Sequence, residues 1–240
     1  MEKQPELTNI LFLDIETVSC MEQYSMLNDR LKAMWDKKAM ILKKEDEEDT
    51  ETFYFKKAGI YAEFGKIVTI AVGYLLKGEE GYSLRVKAFS SDNEKELLLE
   101  FKELLENKYT HPDMFLCGHN GKEFDFPYIC RRMIFNGISP PKILDISGKK
   151  PWEVKHLDTL EMWKFGDRKN YTSLELLAAL FEIESSKEDI DGSMVNHVYY
   201  KENGLARISE YCKADVVVTA NLYLKMKCLP VVRPEHIHIL

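Results

Sequence analysis

The sequence predicts an α/β fold in which a mixed sheet of five strands is covered by helices on both faces. Three strand-like segments come first, and helical and strand-like segments alternate after them, which is the pattern of a sheet packed between helices. The chain has 240 residues, of which 45% are hydrophobic and 30% charged. This size suits one globular domain that folds without disulfides or a structural zinc ion. We therefore expect residues 1–240 to form a single domain.

Five segments are predicted to be strands, because they are apolar, β-branched or alternating and end in polar residues or turns. The first, Asn9 to Glu16, is an apolar run that ends in acidic residues. Lys66 to Leu75 is followed by a turn and by the alternating segment Tyr82 to Phe89, which predicts an antiparallel pair. The last two are Asp113 to His119 and the short segment Val154 to Thr159.

Helices are predicted where apolar residues recur at helical spacing. They span Glu94 to about Asn107, Lys122 to Asn136, Leu160 to Lys164, Ser173 to Phe181 and about Leu205 to Met226. A loop is expected around Glu184 to Gly192, before the last helix.

The segment from about Met21 to Phe64 is predicted to be a helical insertion. Its apolar residues recur at helical spacing around Trp35. The acidic run from Glu45 to Glu51 is expected to be a solvated loop.

Charge, cysteine content and the N-terminus exclude several classes of protein. The formal net charge of −7 argues against a protein that coats nucleic acid non-specifically, because such proteins are usually basic. The five cysteines are odd in number and form no CxxC pair, so we expect reduced thiols. Neither a signal peptide nor a membrane-spanning run is recognisable, so we expect no membrane partner and a cytoplasmic location.

An acidic pair ends the first strand. Strand alternation places Asp14 and Glu16 on the same face. Two carboxylates side by side on a buried strand repel each other and lose solvation, so they need a cation to offset that cost. The pair alone is a weak signal, because an ordinary strand end gives the same pattern.

Two further acidic signals occur later in the chain. Asp125 follows the turn pair Asn120-Gly121 and lies near the start of a helix, where it can also simply complement the helix dipole. Tyr211 and Asp215 are four residues apart in the last helix, so they share one face, as they also would on an amphipathic surface helix. The three signals together are far more specific than any one of them.

Together these segments resemble the motifs of the DEDD superfamily of 3′–5′ exonucleases, which have a ribonuclease H-like fold. DIET, from Asp14 to Thr17, resembles the first motif, and YCKAD, from Tyr211 to Asp215, resembles the third. Asn120, Asp125 and the Pro127-Tyr128-Ile129 segment resemble the second. The sequence is most similar to the tyrosine-containing branch, especially the proofreading exonuclease domain of family B DNA polymerases. No polymerase module is attached, so the resemblance implies a free-standing enzyme.

The resemblance implies two bound Mg²⁺ or Mn²⁺ ions and a role for each residue. Asp14 would bridge both ions, Glu16 and Asp215 would complete the site that activates water, and Asp125 would hold the second ion. Tyr211 would orient the attacking water, because a phenol with an ordinary pKa of about 10 is a poor base near pH 7. Oxygen ligands without a Cys/His cluster also favour Mg²⁺ or Mn²⁺ over zinc.

The resemblance also implies a substrate and its contacts. The 3′-terminal nucleotide of a single strand would lie next to the backbone near Thr17 and next to Phe124 or Asn120. An aromatic contact would accept any base, although core packing explains Phe124 equally well. A DNA exonuclease used in repair or end trimming is favoured. An RNA 3′-end trimming enzyme and a non-catalytic nucleic-acid-binding protein of the same fold are the alternatives left open.

Several other residues have two interpretations. Asp158 either supports the site or caps the helix that begins at Leu160. His119, Trp35 and Trp163 are expected to be structural. A set of basic residues either contacts a phosphate backbone or is ordinary solvated surface: Lys149, Lys150, Lys155, Arg168 and Lys169. The tail residues His236 and His238 are expected to lie in a strand or an arm.

Overall fold

One mixed sheet of six strands forms the centre of the fold. The computed structural model describes residues 5–42, 49–79, 81–167, 171–184 and 190–240 of the protein. The strands are β1 (Ile10–Ser19), β2 (Gly65–Gly78), β3 (Gly81–Ser90), β4 (Phe115–Gly118), β5 (Leu157–Asp158) and β6 (Ile237–Ile239). Their order in the sheet is β5-β4-β1-β2-β3-β6. β1, β2 and β3 pair in antiparallel fashion, and β4, β5 and β6 join the sheet through parallel pairs.

The predicted α/β class is confirmed, but the predicted strand count of five is wrong. The sixth strand, β6, comes from the C-terminal tail, for which a strand or an arm was expected, and it places His238 opposite Arg85 of β3. It has only three residues. A segment this short has no periodicity of its own, so its pairing with β3 decides its structure.

Eight α-helices are described. They are α1 (Asp29–Leu42), α2 (Thr50–Lys57), α3 (Glu94–Lys108), α4 (Asp125–Phe135), α5 (Thr159–Lys164), α6 (Leu174–Leu180), α7 (Val195–Glu202) and α8 (Leu205–Met226). The predicted helices correspond to α3, α4, α5, α6 and α8. No helix in the described part of the chain is both long enough and apolar enough to cross a bilayer.

Three segments differ from the prediction. α4 begins at Asp125 and not at Lys122, because the chain first turns at Asn120, which has a left-handed φ of 63°. α7 was not predicted, since few of its eight residues are apolar and buried. Within the acidic run, Asp49 caps α2 by accepting a hydrogen bond from the N–H of Thr52 at 2.9 Å, so the end of the run is helical. Residues 45–48 of that run lie outside the described residues.

The two faces of the sheet bury alternate residues of β1. Leu11, Leu13 and Ile15 pack with α3 and α4 on one face. Ile10 and Phe12 pack with α8 on the other. All five side chains are buried. Helices therefore cover both faces, as predicted.

α1 and α2 enclose a separate aromatic cluster around Trp35. This side chain is fully buried between Phe53, Tyr54 and Phe64, so its predicted structural role is confirmed. The described parts of the segment from Met21 to Phe64 are thus largely helical. Its status as an insertion into a single domain stays a prediction.

A buried ion pair joins α3 to α4. The Arg132 guanidinium donates to the Glu94 carboxylate at 2.6 and 2.8 Å and to the carbonyl of Ala62 at 2.8 Å. Glu94 also accepts from the backbone N–H of Ile67 at 2.8 Å. Because both charges are buried and hydrogen-bonded to each other and to the backbone, the pair fixes α4 relative to β2.

His156 attaches the chain before β5 to β4. Its Nδ1 accepts a hydrogen bond from the backbone N–H of Leu116 at 3.3 Å, and its Nε2 lies 2.9 Å from the carbonyl of Ile143. Only the neutral ring with its proton on Nε2 satisfies both contacts. Burial lowers the pKa of His156 from 6.5 to about 4, against the opposing effect of the Ile143 hydrogen bond.

We predict that His156 makes the protein less stable in mild acid. The unfolded chain takes up a proton near pH 6.5, whereas the folded chain resists protonation down to about pH 4. The free energy of unfolding therefore falls as the pH drops through this window, by about 3 kcal/mol at most for this group. Urea unfolding between pH 4 and 7 measures the effect. His156→Gln should flatten the dependence and the exposed-site control His197→Gln should not; identical slopes for His156→Gln and wild type would contradict the prediction.

Candidate active site

Asp14 and Glu16 lie on the face of β1 that α8 covers. They follow Ile10 and Phe12 at the spacing of two that defines one face of a strand. Glu16 is buried and Asp14 is partly exposed. The register between β1 and β2 shifts by one residue directly after Glu16, and such bulges often lie beside functional sites. The structure thus places both carboxylates on one face, as predicted.

The first turn of α4 places Asp125 beside β1. β4 ends at Gly118, so β1 has no parallel partner beyond Phe12 on that side. The Asp125 carboxylate takes the place of a strand there, since its Oδ1 accepts a hydrogen bond from the backbone N–H of Ile15 at 3.1 Å. Asp125 is buried. The hydrogen bond ties the second motif directly to the first.

α8 supplies Tyr211 and Asp215 from one turn of helix. Both residues are buried, because this long helix packs across the central strands of the sheet. The Tyr211 hydroxyl hydrogen-bonds the Asp215 carboxylate. The predicted shared face of the two residues is therefore the face turned towards β1.

The negative charges of the other predicted metal ligands act on the Asp14 carboxyl. Burial raises the pKa of the Asp14 carboxyl well above its ordinary value, and the charges of Asp125, Glu16 and Asp215 raise it further. Burial also raises the pKa of Asp125 to about 7, although the hydrogen bond from Ile15 opposes this. Carboxylates in such surroundings are fully ionised near neutral pH only when a positive charge compensates them. The arrangement is therefore suited to a cation.

Cys212 belongs to the same cluster, and the sequence analysis missed it. Its thiol donates to the Asp14 carboxylate Oδ2 at 3.3 Å and lies 3.4 Å from the Asp14 backbone oxygen. Asp14, Glu16 and Cys212 each offer one potential ligand atom, and these atoms lie within 4.8 Å of one another. The signal available in the sequence was the position of Cys212 directly after Tyr211.

Both interpretations of Asp158 are correct. Its Oδ1 caps α5 by accepting from the N–H of Leu160 at 2.9 Å. Oδ1 also accepts from the N–H of Asn120 at 3.0 Å, and Oδ2 from the N–H of Lys122 at 3.0 Å. Asp158 therefore also fixes the turn that leads into Asp125.

The predicted substrate-binding residues lie in the first two motifs. The Thr17 hydroxyl donates to the carbonyl of Gly59 at 2.8 Å. Asn120 forms the left-handed turn after β4. Phe124 precedes α4 and packs on Tyr128 with ring centroids 5.3 Å apart, so part of its surface belongs to the core. Contact of these residues with a substrate stays a prediction.

His119 and Trp163 have the structural roles that were expected. The His119 ring nitrogens lie 2.9 Å from the Thr159 hydroxyl and 2.9 Å from the carbonyl of Thr172. Trp163 is partly buried and packs edge-on against Phe181.

The structure does not test whether the predicted basic residues contact a phosphate backbone. Lys149, Lys150 and Lys155 are exposed, and the Lys150 ammonium lies 5.2 Å from the ring centroid of Trp152. Arg168 and Lys169 lie outside the described residues. Contact of these side chains with a phosphate backbone stays a prediction.

Comparison with known proteins agrees with this geometry. A protein-family model matches residues 60–232 and is described as a predicted 3′-5′ exonuclease related to the exonuclease domain of PolB. The matched residues contain Asp125, Tyr211 and Asp215 and begin after Asp14 and Glu16. No curated protein matches the chain.

A solved structure is similar in fold. It is the family B DNA polymerase from the hyperthermophilic archaeon Pyrobaculum calidifontis, with a TM-score of 0.57 and 17% sequence identity. The match covers 91% of this chain and 24% of the polymerase chain. At this identity the likeness shows the fold alone, and the chain spans only a small part of the polymerase.

We predict that Asp158 stabilises the fold by more than an ordinary helix cap. Asp158→Ala removes the cap of α5 and leaves the N–H groups of Asn120 and Lys122 without their acceptor, so it should cost about 2 to 4 kcal/mol. Ser173→Ala is the matched control, because Ser173 caps only α6 and its loss should cost about 1 kcal/mol. Urea unfolding of both variants measures the difference, and equal losses would show that the contacts to the turn contribute nothing.

Proposed function

The chain belongs to the family of predicted 3′–5′ exonucleases related to the exonuclease domain of PolB, and from this premise we propose that it is a two-metal-ion 3′–5′ exonuclease. The proposed reaction is hydrolysis of the terminal phosphodiester bond of single-stranded or unpaired DNA, with release of a nucleoside monophosphate. The proposed catalytic residues are Asp14, Glu16, Asp125, Tyr211 and Asp215.

The convergence of carboxylates on Asp14 is the observation that carries this proposal. Asp125 and Asp215 come from α4 and α8, far from Asp14 in sequence, and their charges nevertheless raise its pKa. Buried like charges cost folding free energy that apolar side chains would not cost. A purely structural role would not offset that cost, whereas bound cations would.

The donor set fits two Mg²⁺ or Mn²⁺ ions, because carboxylate oxygens dominate it. When bound, such a pair activates water and compensates the charge that builds on the phosphate. In the proposal Asp14, Glu16, Asp125 and Asp215 hold the ions. The softer Cys212 thiol orients Asp14 through its hydrogen bond to the carboxylate.

Tyr211 acts as a hydrogen-bond donor in this proposal. Burial and the negative charges of Asp215, Glu16 and Asp14 raise its pKa far above the ordinary value for a tyrosine. The phenol is therefore protonated at neutral pH and does not serve as a base. Its hydroxyl, held at Asp215, is placed to orient the attacking water.

The proposed substrate is the 3′ end of a single strand, and DNA is favoured over RNA. Thr17 adjoins the first motif, and Asn120 and Phe124 belong to the second, so a nucleotide bound at the carboxylates would lie beside all three. Phe124 keeps a partly exposed ring for such a contact. None of these side chains reads the sugar, so the choice between DNA and RNA rests on experiment.

We predict metal-dependent shortening of a nucleic acid from its 3′ end. A 5′-labelled single-stranded DNA and its RNA counterpart are incubated with Mg²⁺, with Mn²⁺ or with EDTA. A ladder that shortens from the 3′ end and disappears in EDTA is expected, and the DNA-to-RNA ratio of rates identifies the substrate. An Asp14→Asn, Asp215→Asn double variant should lose roughly a hundredfold or more in rate, because the groups that stabilise transition-state charge are gone.

The exposed residue Asp113 supplies the control, since Asp113→Asn removes a surface charge that belongs to none of the three motifs and should retain wild-type activity. Absence of cleavage of either nucleic acid by well-folded wild-type protein would refute the proposed activity and would favour a binding role.

We also predict that Tyr211→Phe separates turnover from metal binding. The variant keeps the ring and loses only the hydroxyl that orients water, so turnover should fall about a hundredfold. Its affinity for Mn²⁺, measured by titration calorimetry, should stay close to that of wild type, as it should in the control Tyr82→Phe. Parallel loss of turnover and Mn²⁺ affinity would rule out this division of labour.

A further inference from the structure

Tyr171 places an exposed aromatic ring beside His119, the residue before the second motif. The residue is 65% exposed, so the ring is not part of the core. Partial burial raises the pKa of its hydroxyl, and the charges of four carboxylates add to this effect. They are those of Asp125, Asp14, Asp158 and Asp215. Charges act on a phenol in this way only over short distances. The ring itself packs against His119, which directly precedes Asn120 of the second motif.

His119 fixes the position of this ring. The two rings meet edge to face, with centroids 6.2 Å apart and planes at 69°. The His119 ring is itself held between the Thr159 hydroxyl and the carbonyl of Thr172, each at 2.9 Å. Because Thr172 directly follows Tyr171, the same contact anchors the backbone that carries the tyrosine. An exposed ring that is held in this way is available for a ligand without first having to be ordered.

We propose that Tyr171 forms one wall of the pocket for the 3′-terminal nucleotide and packs against its base. This inference rests on the proposed function and adds a residue that lies in none of the three motifs. A nucleotide whose phosphate lies at the carboxylates extends away from them through its sugar and base. The Tyr171 ring is held at His119, directly before the Asn120 turn that leads to Asp125, and it is open to such a nucleotide.

Packing against a base accounts for both the exposure of Tyr171 and its aromatic side chain. A ring that stacks on a base has to be open to it, and the Tyr171 ring is open. Stacking on an aromatic ring accepts every base, because each base has a π-face. The contact thus provides affinity for any terminal nucleotide and little sequence preference.

The test compares two single-stranded oligodeoxynucleotides that differ only at the 3′-terminal unit. One carries a normal terminal thymidine, and the other carries an abasic tetrahydrofuran unit. The kcat/KM for removal of this unit is measured in Mg²⁺ for wild type, Tyr171→Phe, Tyr171→Leu and Tyr171→Ala. With the normal end, Tyr171→Ala should lose about tenfold to a hundredfold, Tyr171→Phe should stay near wild type, and Tyr171→Leu should lie between them. With the abasic end, all four proteins should be alike.

Phe135→Ala is the matched control. Phe135 is 73% exposed and lies at the far end of α4, about 15 Å along the helix axis from Asp125. This variant should behave as wild type on both oligonucleotides. Thermal unfolding of each variant confirms that it is folded.

The possible failures are distinguishable. Wild-type protein that removes neither terminal unit overturns the proposed function, and the role of Tyr171 with it. Wild-type cleavage combined with equal losses on both ends, or with no loss in Tyr171→Ala, overturns the role of Tyr171 alone. Loss of the base-dependent rate in Tyr171→Phe as well would assign the contact to the hydroxyl and contradict packing against the base.

Discussion

Mutual repulsion among four acidic side chains is the constraint that the rest of the fold has to meet. Asp14 carries the largest share, because the charges of Asp125, Glu16 and Asp215 all act on it. The backbone of Asp14 pairs with Ala71 of β2, and β4 pairs with β1 up to Phe12, two residues before it, with apolar layers on both faces of the sheet. α8 is buried over much of its length against the same sheet. The backbone positions of the four acids are therefore fixed by strand pairing and apolar packing, and the proposed cation site depends on this rigidity.

Main-chain hydrogen bonds set the position of the second motif. Beyond the end of β4, the Asp125 carboxylate accepts the N–H of Ile15 that a longer strand would have paired. The turn before it is held in the same way, because Asp158 accepts the N–H groups of Asn120 and Lys122. Carboxylates thus take the place of a strand partner beyond the end of β4. The site is therefore located where β4 stops, and its geometry depends on hydrogen bonds between backbone N–H groups and the carboxylates of Asp125 and Asp158.

The parts of the site that depend on local spacing were predictable. Strand alternation places Asp14 and Glu16 on one face of β1, and a spacing of four places Tyr211 and Asp215 on one face of α8. Both pairs can therefore be predicted from the sequence alone. Cys212 was missed because its role depends on how α8 is rotated against β1, which no local pattern specifies. The position of Tyr171 likewise depends on the tertiary structure, because its contact with His119 sets it. The same reason explains β6, which three residues form only because β3 offers an edge.

The carbonyl group of Gly59 ties the helical segment before β2 to the first two motifs. The oxygen of Gly59 accepts hydrogen bonds from the Thr17 hydroxyl and the Tyr128 hydroxyl, each at 2.8 Å. The backbone approaches so closely that a Cβ atom on Gly65 would overlap the Tyr128 hydroxyl, which explains the glycine there. Since two hydroxyls from different motifs share one acceptor, displacement of the segment would unpair both, at about 1 to 3 kcal/mol for each buried group. The segment is therefore part of the support of Thr17, and its removal would disturb the first motif.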